Sequence, residues 1–226
     1  MYTVDFHLHS NYSADSIMNV RKMIDVARKM GLRGIAITDH NNIIGGQKGL
    51  KLNKYQDFDV ICGAEMDSEE GHIIGLFLNE EIQTNYASEI IDEIRDQGGI
   101  SVLAHPFKSK KIISKEVLEK VDCIEAFNSR ISQQENLKAQ QLAKELDYPT
   151  LAGSDAHFYF EIGNSGVIVN EYISDLEDLR KAILKKNTTI YGRLTPVPSQ
   201  ILSKIALEMR MHVSDRFTTR LFGVFR

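Results

Sequence analysis

The chain has 226 residues, 42% hydrophobic and 26% charged, with a formal net charge of -4. That length suits one large domain, or a domain with an appendage, and can bury a substantial core. The charge gives no global attraction to nucleic acid or an anionic membrane. No run reaches the roughly 18 apolar residues of a membrane span, and Asp5 and His7 interrupt any signal-peptide-like run, so a cytoplasmic protein is expected.

Short β-like runs alternate with helix-like segments. "YTVDFH" reads as a strand. From Asn19 to Met30, Val20, Met23, Ile24, Ala27 and Met30 share one helical face, and Gly31 follows as a stop. "GIAIT" (34–38), "DVICG" (59–63) and "HIIGLFL" (72–78) read as buried strands. A helix fits 85–96 and ends at Gly98-Gly99, before the strand "ISVLA" (100–104). "DCIEAF" (122–127), a helix over 131–146, "TLAG" (150–153) and "GVIVN" (166–170) continue the series. Ser174 to Glu177 has the form of a capping box opening another helix. Cys62 and Cys123 lie in apolar runs and are expected as buried thiols.

This alternation predicts an α/β fold with mostly parallel strands. Eight or so runs suit either a barrel or an open doubly wound sheet, and periodicity alone does not choose. Residues 1–194 are expected to form the domain and 195–226 a basic amphipathic extension. In that extension Ile201, Ile205 and Met209 follow helical spacing, joined by Leu202 and Val213. Six Lys/Arg from Arg193 onward face only Glu208 and Asp215. The extension is read as a helix packed on the domain or on a second subunit, with a membrane-surface helix as the alternative.

Six of the seven histidines lie at or beside the end of a strand-like run: His7, His9, His40, His72, His105 and His157. His212 lies in the tail and is read as a non-ligand. Asp15, Asp39, Glu65 and Asp155 accompany the six. In a parallel α/β sheet or barrel the carboxyl ends of the strands share one face, where sites are built. Imidazole and carboxylate are the ligand set for Zn, Mn and Fe. Residues i and i+2 of a strand point to one side, so His7 and His9 can grip one ion, and Asp155 and His157 repeat the spacing.

With these motifs in order the chain resembles the PHP family, the polymerase and histidinol phosphatase superfamily of metal-dependent phosphoesterases. The resemblance rests on "DFHLHSNYSAD", "AITDHN", "GAE" with its following "HIIGLFL", "LAHPF" and "GSDAH", spanning residues 5 to 157. It implies a distorted barrel of about seven β/α units, with a trinuclear metal site at the carboxyl ends of the strands. It also implies nine ligands: His7, His9, Glu65 and Asp155 for a first ion, Glu65 as a bridge with His72 and His105 for a second, and Asp15, His40 and His157 for a third. Members vary at the position of Asp15.

The implied activity is hydrolysis of a phosphate ester, with His7, His9, Glu65, Asp155 and His157 at its centre. In that implied chemistry two close divalent ions would lower the pKa of a shared water and so supply the nucleophile for phosphorus. The leaving oxygen would take its proton from a water on the metals, from His157 or from Asp15. The substrate is expected to be a small phosphorylated metabolite, a nucleotide or a short oligonucleotide end, not a long nucleic acid. Lys108, at the start of "KSKKIISK", and Arg130, just past a strand end, are candidate phosphate contacts, with Asn128 beside them. Phe107 and Phe158 are candidates to stack on a base. Asp5, Asp39 and Ser154 could orient imidazole N–H groups. The competing readings are an amidohydrolase-type enzyme acting on C–N bonds, a non-catalytic metal-binding module and a protein-tyrosine phosphatase.

Overall fold

The computed structural model describes residues 1–198 together with Ile201 and Ile205. Its elements are β1 (Tyr2–Leu8), α1 (Val20–Lys29), β2 (Gly34–His40), α2 (Ile44–Leu52), β3 (Asp59–Ser68), β4 (Gly71–Leu76), α3 (Ala87–Asp96), β5 (Ile100–Ala104), α4 (Lys115–Lys120), β6 (Cys123–Asn128), α5 (Gln133–Glu145), β7 (Thr150–Gly153), β8 (Ser165–Val169), α6 (Leu176–Leu184) and β9 (Thr188–Gly192). The bulk of the expected extension, with His212, Leu202, Met209 and Val213, lies outside the described residues.

The strands form one sheet in the order β7-β6-β5-β4-β3-β2-β1-β8-β9. A parallel bridge between Leu8 and Ala156, just past β7, brings the sheet back on itself as a distorted barrel. The pairings give β1, β2, β3, β5, β6, β7 and β9 one direction, while β4 and β8 run the other way. The carboxyl ends of these seven strands and the amino ends of β4 and β8 therefore lie on one side, and the start of β4 joins that rim. That reversal explains why His72 begins its strand while the other histidines end theirs.

Alternation along the strands then does the placing. Ala36, Thr38 and His40 share one side of β2, as do Ile61, Gly63 and Glu65 on β3, and His72, Ile74 and Leu76 on β4. The lower members of these rows belong to one buried cluster with Val4, Phe6, Val102 and Phe127. The top members reach the rim. In β1 a register shift between Asp5 and Leu8 sends Leu8 outward, into a cluster with Met23, Ile24 and Ile37. A further cluster packs β3–β5 against α3, through Ile90, Ile91 and Ile94.

One local expectation changes, and one helix lies outside those expected. The N-cap of α6 is Asp175, which accepts from the Asp178 N–H, while the Ser174 hydroxyl donates to the Asp178 carboxylate. The capping box lies instead at Ser132 and Glu135, opening α5. α2 escapes a periodicity reading because Gly45, Gly46 and Gly49 lower its helix propensity. Close packing requires these glycines: a Cβ would lie 1.9 Å from Asp39 Oδ2 at Gly45 and 2.7 Å from Cys62 Sγ at Gly46.

Barrel closure brings β7 equally close to β1. A Cβ on Gly153 would stand 2.1 Å from His7 Cβ and 2.8 Å from His7 N. Gly153→Ala should therefore cost at least the upper end of the ~1–3 kcal/mol typical of overpacking. An unchanged urea midpoint would contradict this.

Candidate metal centre

The rim gathers the nine expected donors. Glu65, 1% exposed, lies at the middle. Its Oε2 is 3.3 Å from His7 Nε2, from His9 Nε2 and from His40 Nδ1. Its Oε1 is 2.6 Å from His72 Nδ1 and 2.8 Å from His105 Nε2. Asp155 Oδ1 lies 3.2 Å from His9 Nε2, and Asp15 Oδ2 lies 2.8 Å from His157 Nε2 and 3.5 Å from His40 Nε2. Four overlapping groups have donor atoms all within 4.8 Å of one another: His9, Asp15, His40 and His157; His7, His105 and Asp155; His7, His9 and Glu65; and Glu65, His72 and His105.

The donor set fits divalent ions on two further observations. His7 Nε2 and His9 Nε2 face each other at 3.1 Å, both aimed at the point Glu65 and Asp155 approach. The Asp15 Oδ1 atom is buried without a hydrogen-bond partner, an unusual state for a carboxylate oxygen. Imidazole and carboxylate in this mixture suit Zn, Mn or Fe.

The outer imidazole nitrogens are held as well. His7 Nδ1 lies 2.9 Å from Glu125 Oε1, His9 Nδ1 3.2 Å from the Ser13 hydroxyl, and His72 Nε2 3.3 Å from Asp67 Oδ1. His157 Nδ1 faces the Asp155 carbonyl at 2.8 Å. The residues expected in this role act differently. Asp5 accepts the backbone N–H of Ser154 and of Gly163, each at 2.9 Å, and so braces the loop beyond β7. Asp39 accepts from the Ser10 and Ser13 hydroxyls and reaches His9 only through Ser13. Glu125, Ser13 and Asp67 were not singled out by sequence. The available signal for Glu125 was an acid in an otherwise apolar buried strand.

Of the expected substrate contacts, Lys108 and Arg130 line a cavity of about 670 Å³ with Asp15, His40, Asp155 and His157. The Lys108 ammonium is 3.4 Å from Asp155 Oδ2. Arg130 pairs with the buried Glu161 at 3.2 Å, and Glu161 also accepts the backbone N–H groups of His157 and Phe158. Asn128 is fully buried and outside this lining. Its amide donates to Glu125 and Asp155, and its oxygen accepts the Arg130 N–H. That commits it to internal positioning. Phe158 stacks on Phe160 with centroids 5.6 Å apart; neither it nor Phe107 lines the cavity.

Burial and charge compete throughout. Burial disfavours a charged His9, but hydrogen bonds to Asp155 and Glu65 outweigh it and raise its pKa to about 9. His7 likewise overcomes burial, through Glu125, Asp155 and Glu65, and titrates well above its ordinary value. Glu65 and Asp155 resist burial and stay well below the usual carboxylate range, Glu65 through His7 and His105, and Asp155 through Lys108 and His7. Asp5 has no such cation, and burial pushes it up to about 6.

An α/β barrel with a rim of convergent imidazoles and carboxylates defines a class of metal-site proteins. The chain belongs to the PHP domain family, whose profile matches residues 5–165. An uncharacterised protein of Methanocaldococcus jannaschii is 36% identical over 179 residues, covering 74% of this chain and 70% of that protein. A second from the same organism is 36% identical over 157 residues, covering 63% and 92%. Among solved structures, a two-domain protein from Bacteroides vulgatus containing a predicted PHP-like metal-dependent phosphoesterase aligns with a TM-score of 0.73. That alignment covers 85% of this chain and 65% of the other at 19% identity, a likeness of fold. No helix among the described residues is long and apolar enough to cross a membrane.

The raised histidine values carry a sign. The His9 contribution to metal-free stability is fully present below pH 6.5 and is lost as pH rises through about 9. Zn²⁺ added to the metal-free protein at pH 7 must displace protons from His7 and His9, so affinity should climb towards pH 9. Calorimetry in buffers of different protonation enthalpy should show net proton release, and zero release would refute the assignment.

Proposed function

We propose that the protein is a metal-dependent phosphoesterase acting on small phosphorylated molecules of metabolite or nucleotide size. The observation that carries this is the gathering of nine imidazole and carboxylate donors at one rim, five of the imidazoles around Glu65, beside a cavity that also holds Lys108 and Arg130. His7, His9, Glu65 and Asp155 would hold one ion, Glu65, His72 and His105 a second, and Asp15, His40 and His157 a third. Bound divalent ions of this kind lower the pKa of water and neutralise charge developing on phosphoryl oxygens.

The chain's own residues supply the rest. Lys108, beside Asp155, offers a cation to a non-bridging phosphoryl oxygen. Arg130, steadied by Glu161, offers planar donors further along the wall. Leu194, Thr195 and Val197 with the first turn of α5 line the same cavity and would enclose the leaving group. A volume near 670 Å³ suits a single small molecule. The Bacteroides vulgatus structure of similar fold, with its predicted PHP-like metal-dependent phosphoesterase, is in keeping with the same reading. The amidohydrolase-type alternative is disfavoured because the donor at the centre of the set is a glutamate, Glu65.

Protein loaded with Mn²⁺ or Zn²⁺ should release phosphate from some members of a phosphorylated panel. Asp155→Ala should abolish release, and Lys108→Ala should chiefly raise KM. No bound transition metal, with Asp155→Ala equal to wild type, would defeat the proposal. Separately, Asp15→Ala should reduce the metal content by one ion while the loci around Glu65 stay filled. Elemental analysis after dialysis reads this directly, and complete loss of metal would contradict it.

A further inference from the structure

We propose that Glu125, backed by Asn128, is the positioning residue that fixes His7, His105 and Asp155 as ligands and so makes two ion loci interdependent. This rests on the metal-binding reading above. β6 contributes none of the nine donors, yet its buried carboxylate stands behind three of them. Glu125 Oε1 lies 2.9 Å from His7 Nδ1, and Oε2 accepts the His105 backbone N–H at 2.8 Å. The Asn128 amide donates to both Glu125 oxygens at 3.2 Å and to Asp155 Oδ2 at 3.3 Å. His7, His105 and Asp155 form one of the groups whose donor atoms lie within 4.8 Å of one another.

Counting donors and acceptors shows why an acid is needed. An ionised carboxylate only accepts, so the His7 nitrogen facing it carries the proton. Once ion binding removes the ring's second proton, the lone pair lies on Nε2, the atom 3.1 Å from His9 Nε2 and 3.3 Å from Glu65. The three groups reaching Glu125 (the His7 ring, the His105 N–H and the Asn128 amide) are all donors in this arrangement. A glutamine would turn its own NH₂ towards one of them. Facing His7, it would draw the proton to Nε2 and block the ligand atom. Facing His105, it would strand a buried N–H at a residue whose φ is already +24. Asn128 extends the brace to Asp155, so one carboxylate governs ligands of both the His7 locus and the His105 locus.

The test uses the full chain, as wild type and Glu125→Gln, loaded with Zn²⁺ and dialysed. Zinc per chain and affinity come from elemental analysis and chelator competition, and the His7 tautomer from NMR of ¹⁵N-histidine-labelled protein. Wild type should carry the His7 proton on Nδ1, with Nε2 bound to zinc. Glu125→Gln should bind zinc about 10- to 100-fold more weakly at the two loci, while the Asp15, His40 and His157 locus keeps its ion. A His7 proton on Nε2 in zinc-loaded wild type, or unchanged zinc affinity in the variant, overturns the proposal alone. If the variant does not fold, the wild-type spectrum still decides. Wild type that retains no zinc overturns this proposal together with the metal reading.

Discussion

The arrangement depends on the burial of one carboxylate among five imidazoles. Removing an ionised glutamate from water costs several kcal/mol unless partners replace its hydration. Glu65 meets that requirement with His7, His9, His40, His72 and His105, drawn from the ends of β1, β2 and β5 and the start of β4. These contacts are available only if four strand ends arrive at one rim in the right register. Fold and site are thus the same constraint seen at two scales. The apolar rows below (Ala36, Ile61, Ile74 and Val102) hold the strands at the spacing that the charged row above requires.

The histidines do not rely on Glu65 alone. Each of four rings has its outer nitrogen engaged by a different kind of group: a buried acid, a hydroxyl, an exposed acid and a backbone carbonyl. Such support orients the inner nitrogens before any ion arrives. His105 and Asp155 carry positive φ values of +24 and +53. Backbone of this kind costs energy and persists where the surroundings over-determine it. Here the Glu125 contact to the His105 N–H is part of that surrounding structure.

Much of this was legible in the chain because strands have a period of two. The spacing of His7 and His9 places both rings on one side, and the structure brings their Nε2 atoms to 3.1 Å. His72 looked exceptional at the head of its strand until the direction of β4 made it equivalent to the others. What stayed hidden depends on tertiary packing. The glycines of α2 suppress a helical signal because the sheet needs bare backbone there. Glu125 sits in "CIEAFN", where an acid in an apolar strand says only that something must satisfy it. Asn128 was visible as a polar residue at a strand end, but its complete burial was not.

The direction of β9 has a practical side. It runs parallel to β1, so it finishes at the metal rim, and Leu194, Thr195 and Val197 immediately form part of the cavity wall. Tyr2 begins β1 at the opposite end, about 20 Å away by the rise of a seven-residue strand. The two ends of the barrel are therefore unequal as points of attachment. A label, surface tether or fused protein joined ahead of Tyr2 would leave the entrance clear. The same cargo joined just after residue 198 would hang at the doorway and compete with whatever enters.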